Sequence, residues 1–137
     1  MKRDRRSGCP IAYSLDLFGD RWTLLILRDM VFGQRRHYRD FLTAGEGIAT
    51  NVLADRLDRL ERSGLIAKQR HTQDGKRYVY TLTEKGADSV PILLELIAWG
   101  AKHDPETAAP PAFMARLAND RSAVIADLRA KLQKAVP

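Results

Sequence analysis

The chain is poor in the residues from which most catalytic and metal centres are built. It holds one cysteine, Cys9, in 137 residues, so no disulfide can close within it and no zinc site can be assembled from its thiolates. Its three histidines, His37, His71 and His103, are scattered, and none stands in the HExxH spacing that puts two imidazoles on one helical face. No metal and no cofactor is expected. Ser14, Asp16 and Asp20 have no histidine near them in sequence, and there is neither a glycine-rich phosphate loop nor a nucleophile elbow, so an enzyme is not expected. No apolar run approaches the ~18 residues of a membrane span, and MKRDRRSG is followed by a helical pattern in place of a signal-peptide core. A cytoplasmic protein without a membrane partner is expected. Aromatics make up 7% of the chain and do not cluster as a base-stacking platform would require, which ranks RNA binding last.

What is present is an apolar fraction of 45%, enough for one core, and a formal charge of +6. That balance favours a polyanionic partner, nucleic acid or an anionic surface.

Residues 1–8 read as a basic, mobile arm. Pro10 suits the first turn of a helix, where its missing N–H costs nothing, and Ile11, Leu15 and Phe18 then share a face up to Gly19. Asp20 is the expected N-cap of RWTLLILRDMVFG, a helix apolar nearly all round and therefore central. A short helix over Tyr38–Leu42 is followed by AGEG, a turn, and by a helix from about Thr50 to Gly64. Leu53, Leu57 and Leu60 form its buried stripe. The helical wheel places Asn51, Asp55, Asp58 and Arg62 opposite, with Thr50 and Ala54 on one flank and Arg56 and Arg59 on the other. The period then changes to two in IAKQRH and KRYVYTL, joined at Asp74-Gly75, where Gly75 is expected to supply a positive φ to a hairpin turn. Thr83 should cap a long helix from Glu84 to about His103, kinked at Pro91. Residues 104–137 are a linker and a helical extension, with Val124, Ile125, Leu128 and Leu132 in register.

A short helix, a tight turn, a second helix and a hairpin form the order of a winged helix-turn-helix: a mainly α fold with one small β-hairpin. Its second helix enters the DNA major groove, and N-terminal residues reach base edges. Here these are Thr50 and Asn51, with Ala54, Asp55, Arg56 and Arg59 behind them. Lys76 and Arg77 on the hairpin would meet flanking phosphates or the minor groove, and Arg36 and His37 would reach phosphate from the first helix. The competing reading is a solvated surface helix, because Asp55 and Asp58 repel phosphate, and a winged helix that docks proteins with its basic face idle. A steep salt dependence of duplex binding separates the two.

The segments CPIAYSLDLFGDRWTLLILRDMVFGQRRHYRDF, GIATNVLADRLDRLERSGLI and YTLTEKG, with the Trp99 region, together resemble the HxlR-type transcriptional regulators, a bacterial branch near the MarR winged-helix proteins. The resemblance spans residues 9–103 as one domain. It implies a homodimer on a near-palindromic operator of double-stranded DNA, joined through flanking helices at residues 10–18 and 84–103. Ile11, Leu15, Leu93, Leu96, Ile97 and Trp99 are the interface residues to expect, and the apolar excess of both segments agrees. The family often has serine where this chain has Ala49, so Thr50 is expected to take over part of the capping. Cys9 coincides with a cysteine that resembles a redox or electrophile sensor in some members. A helix N-terminus and the cations Lys2, Arg3, Arg5 and Arg6 favour a reactive thiolate, which makes Cys9 a candidate sensor of an oxidant or small-molecule effector; burial as a small hydrophobe is the competing reading.

Overall fold

The computed structural model describes residues 7–71, 75 and 77–134. Most of the basic arm, Asp74 and Lys76 fall outside these residues; Gly75 is described and is not among the glycines with a positive φ, so the positive φ expected of it at the hairpin turn is not found.

Pro10 opens α1 (Pro10–Phe18), which ends at Gly19. Asp20 caps α2 (Arg21–Val31), its carboxylate accepting the Trp22 and Thr23 amides at 3.1 and 3.2 Å, and so supplies acceptors the helix start lacks. Ile26, Leu27, Met30 and Val31 are buried, which places α2 at the centre as its all-round apolarity requires. α3 (Tyr38–Leu42) and α4 (Thr50–Arg62) are separated by a turn in which Gly45 and Gly47 take φ of +100° and +76°, a conformation that costs glycine little. Leu53, Leu57 and Leu60 line the buried side of α4. Ala49 precedes α4 without a side-chain cap bond, and Thr50 is already helical, so the expected transfer of capping to Thr50 does not occur.

Strands β1 (Ile66–Arg70) and β2 (Tyr78–Leu82) pair antiparallel, Ile66 opposite Leu82 and Arg70 opposite Tyr78. The expected long helix is two. After Thr83, whose hydroxyl accepts the Gly86 amide at 3.1 Å, α5 (Glu84–Ala87) stops, and α6 (Val90–His103) begins with Pro91 in its first turn. Proline there needs no N–H partner, whereas in a continuous helix it would clash with the carbonyl four residues back, so the chain breaks at the position of the expected kink. Gly86 lets α5 press on the α4–β1 joint: a Cβ would stand 2.0 Å from the Leu65 carbonyl oxygen.

α7 (Pro111–Asn119) and α8 (Arg121–Lys134) fold back on the same core, contributing Leu117, Val124 and Leu128. Phe113 meets Phe32 edge to face at 6.3 Å, and Arg129 pairs with Glu84 and Asp88 of the α5 segment at 2.6 and 3.2 Å. Among the described residues no helix is long and apolar enough to cross a membrane.

Candidate nucleic-acid interface

The outward face of α4 is built by its neighbours. The Tyr38 hydroxyl donates to the Thr50 carbonyl at 3.0 Å, tying α3 to the first turn of α4. Phe41, buried beneath α3, stacks edge to face on Tyr80 of β2 at 6.2 Å and so joins the helix pair to the wing. The Tyr80 amide donates to the Arg36 carbonyl at 2.8 Å, a second tie from the wing to the segment leading into α3. On this frame Thr50, Asn51, Ala54 and Asp55 are exposed together, at the start of α4 and beside the glycine turn. The side chains at that end are short, which permits close approach of the helix to a surface.

The two aspartates on this face do not stand as isolated charges. Asp55 accepts from Arg56 at 2.5 Å, and Asp58 pairs with Arg62 at 2.9 Å, one turn on. Exposed pairs of this kind contribute little stability but offset the local charge. Arg59 is half-buried on the flank.

Other sequence candidates are used differently. Arg56 turns inward: its Nε lies 2.7 Å from the Asp20 carboxylate, and only 20% of the side chain is exposed. Its guanidinium is therefore engaged by the carboxylate that caps α2. Arg36 is half-buried beside Met30, Tyr80 and Leu132 at a shallow surface dip, and burial pulls its pKa down. His37 brackets α3 to the wing: its amide donates to Asp40 at 3.1 Å and its Nδ1 lies 3.3 Å from the Tyr78 carbonyl. The centroid of its ring lies 5.9 Å from that of His71, so two histidines distant in sequence are neighbours towards the turn end of the wing. Arg77 is exposed at the entry to β2.

Sequence reasoning missed two wing cations. Lys68 and Arg70 are exposed on β1, and both flank the Tyr78 ring, at 4.1 and 5.4 Å from its centroid. Their period-two spacing in IAKQR was the available signal, since residues two apart share a strand face. Also missed was Glu46 in the helix-turn-helix turn, which pairs with Arg21 at 3.3 Å and Arg28 at 3.0 Å.

The apolar surface divides as well. Ile11 and Leu15 on α1 are 71% and 59% exposed, and Leu96 and Trp99 on α6 are 51% and 68% exposed. Leu93, expected in that patch, is buried in the chain's own core, and Ile97 packs half-buried against it. Ile92, part of the same apolar pattern along the helix, takes the outward position one turn before Leu96. Cys9 is exposed at the N-cap of α1, which removes the reading of it as a buried hydrophobe. Among the described residues no group of three or more histidine, cysteine or acidic side chains could hold a metal ion.

Comparison with known proteins agrees with this architecture. The chain is 37% identical over 107 residues to the HTH-type transcriptional regulator Rv3095 of Mycobacterium tuberculosis, a match covering 78% of this chain and 66% of that protein, so the chain spans just under two thirds of that relative's length. It superposes on the crystal structure of PA1607 with a TM-score of 0.69 at 32% identity, over 77% of this chain and 73% of that one. It superposes on the redox regulator HypR in its reduced form with a TM-score of 0.62 at 25% identity, over 69% and 92% of the two chains. Residues 17–108 match the HxlR-like helix-turn-helix family over most of the described winged helix. With the helix pair, the hairpin wing and these matches in agreement, the chain belongs to the HxlR-like helix-turn-helix family of transcriptional regulators.

Proposed function

We propose that this regulator reads DNA sequence as a homodimer on a near-palindromic operator in the cytoplasm. The observation that carries the reading is the start of α4, where Thr50 and Asn51 stand exposed on a helix braced from below by α3 and the wing. Asparagine can form a bidentate pair with adenine, and threonine can bond to a base or touch a thymine methyl. Lys68, Arg70 and Arg77 provide the wing with charge for flanking phosphates, the sequence-independent part of the affinity. The exposed stripe Ile92, Leu96 and Trp99, with Ile11 and Leu15 of α1, is the surface for a second copy, and a two-fold axis there sets the reading helices about one DNA turn, ~34 Å, apart. The exposed Cys9, at the head of α1 within that surface, is the group through which an oxidant or electrophile would act. HypR, whose fold this chain shares, is a redox regulator, and that likeness favours this effector class over others.

The test is selection of duplexes from a random pool, followed by affinity measurements on the selected and a scrambled duplex. Thr50→Ala and Asn51→Ala should each cost ~1–3 kcal/mol on the selected duplex and leave the scrambled one nearly unchanged. Equal losses on both, or a salt-independent weak binding by the wild type, would point instead to a protein-docking winged helix.

A further inference from the structure

Arg56 and Asp20 are 36 residues apart in sequence and join α4 to the head of α2, 2.7 Å from Nε to Oδ2. The same Oδ2 accepts the Trp22 and Thr23 amides, and Oδ1 accepts the Thr23 hydroxyl at 2.5 Å. The carboxylate is thus occupied on one side by the first turn of α2 and on the other by the guanidinium of α4. A parallel link runs from Glu46, in the turn that leads into α4, to Arg21 and Arg28 of α2. The buried attachment of α4 is the leucine stripe Leu53, Leu57 and Leu60. Apolar contact is non-directional, and it restrains rotation of a helix about its own axis less than a charged hydrogen bond of fixed geometry does.

We propose that Asp20 and Arg56 are positioning residues that fix the rotation of α4, and with it which side chains of its first turns meet base edges. The inference rests on the DNA-reading function above. Arg56 acts through Asp20, and the phosphate contacts come from other cations, so the pair governs discrimination between sequences and not general attraction to DNA. A small rotation carries Thr50 and Asn51 sideways within the groove, while the wing cations on β1 keep their places.

The experiment uses the full chain, a duplex selected by the wild type from a random pool, and a scrambled duplex of equal length, titrated over a range of salt concentrations at a temperature where every variant is folded by circular dichroism. Arg56→Met and Asp20→Asn should each weaken binding to the selected duplex by about tenfold or more and to the scrambled duplex by less than about twofold, with the salt slope unchanged. The double variant should be no weaker than the worse single one, because both changes remove the same link. Should Arg56→Met fail to fold, Asp20→Asn, which keeps an acceptor for the cap, carries the comparison alone. Equal losses on both duplexes with a salt slope reduced by about one make Arg56 a phosphate contact and overturn the proposal. Wild-type discrimination in both variants overturns it too. A wild type that selects no sequence removes the DNA-reading function itself, and this inference falls with it.

Discussion

Replacing Asp20 by asparagine removes a negative charge and leaves an acceptor for the first turn of α2. The structure holds this carboxyl at a pKa of about 2 against an ordinary 3.8: burial pushes it up, but hydrogen bonds from the Thr23 hydroxyl, Arg56 and the Trp22 amide, with the Arg56 charge, outweigh burial and pull it down. At about 1.4 kcal/mol per tenfold change in proton affinity, that difference corresponds to roughly 2 kcal/mol of stability. Because the folded-state pKa lies below the unfolded one, the unfolded chain takes up the proton first. The contribution is therefore complete above the unfolded value near 4 and is lost as pH falls towards 2, with roughly half gone by pH 3. Urea denaturation of wild type and Asp20→Asn at neutral pH and at about pH 3 measures this directly. The variant should be less stable by roughly 2 kcal/mol at neutral pH and by roughly half that at about pH 3, other carboxylates titrating alike in both proteins and cancelling in the difference. A gap that stays constant between the two would show that the defect is one of cap geometry and would refute the charge-pair account.

The proposed dimer surface and the core lie on opposite sides of α6. Leu96→Glu should give a monomer in sedimentation that keeps its helical circular-dichroism spectrum and whose thermal midpoint no longer rises with protein concentration, whereas Leu94→Ala, at a fully buried site, should cost about 2–5 kcal/mol; a wild type that sediments as a monomer would remove the interface. Gly86→Ala forces a Cβ to within 2.0 Å of the Leu65 carbonyl oxygen and 2.9 Å of the Leu82 side chain. Backbone cannot yield as a side-chain tip can, so this variant should lose about 3 kcal/mol or more in urea denaturation, and an unchanged midpoint would contradict the packing of α5. Lys68→Ala and Arg70→Ala should weaken selected and scrambled duplexes alike, each reducing the salt slope by roughly one counterion; unchanged slopes would place the wing off the phosphates.

Local chemistry alone determined much of the architecture. Proline at the head of α1, the carboxylate before α2, the glycines between α3 and α4 and the hydroxyl before α5 act through their own backbone neighbours, so their effects can be read from adjacent letters. The Leu53, Leu57 and Leu60 stripe follows from the helical period in the same way. The resemblance carried by these segments also named the family correctly. Only the tertiary structure decided which partner each outward or flanking side chain would meet. Arg56 lies on the flank of α4 by any wheel, and nothing near it in sequence announces that Asp20 stands across the helix pair. Leu93 and Leu96 are equally apolar, yet one faces the chain's own core and the other solvent, because α2 and the tail helices cover just one side of α6. His37 and His71 become neighbours only when the wing folds back on α3. Periodicity is a property of one element, whereas burial and pairing depend on contacts between elements far apart in the chain, and those form only when the core closes.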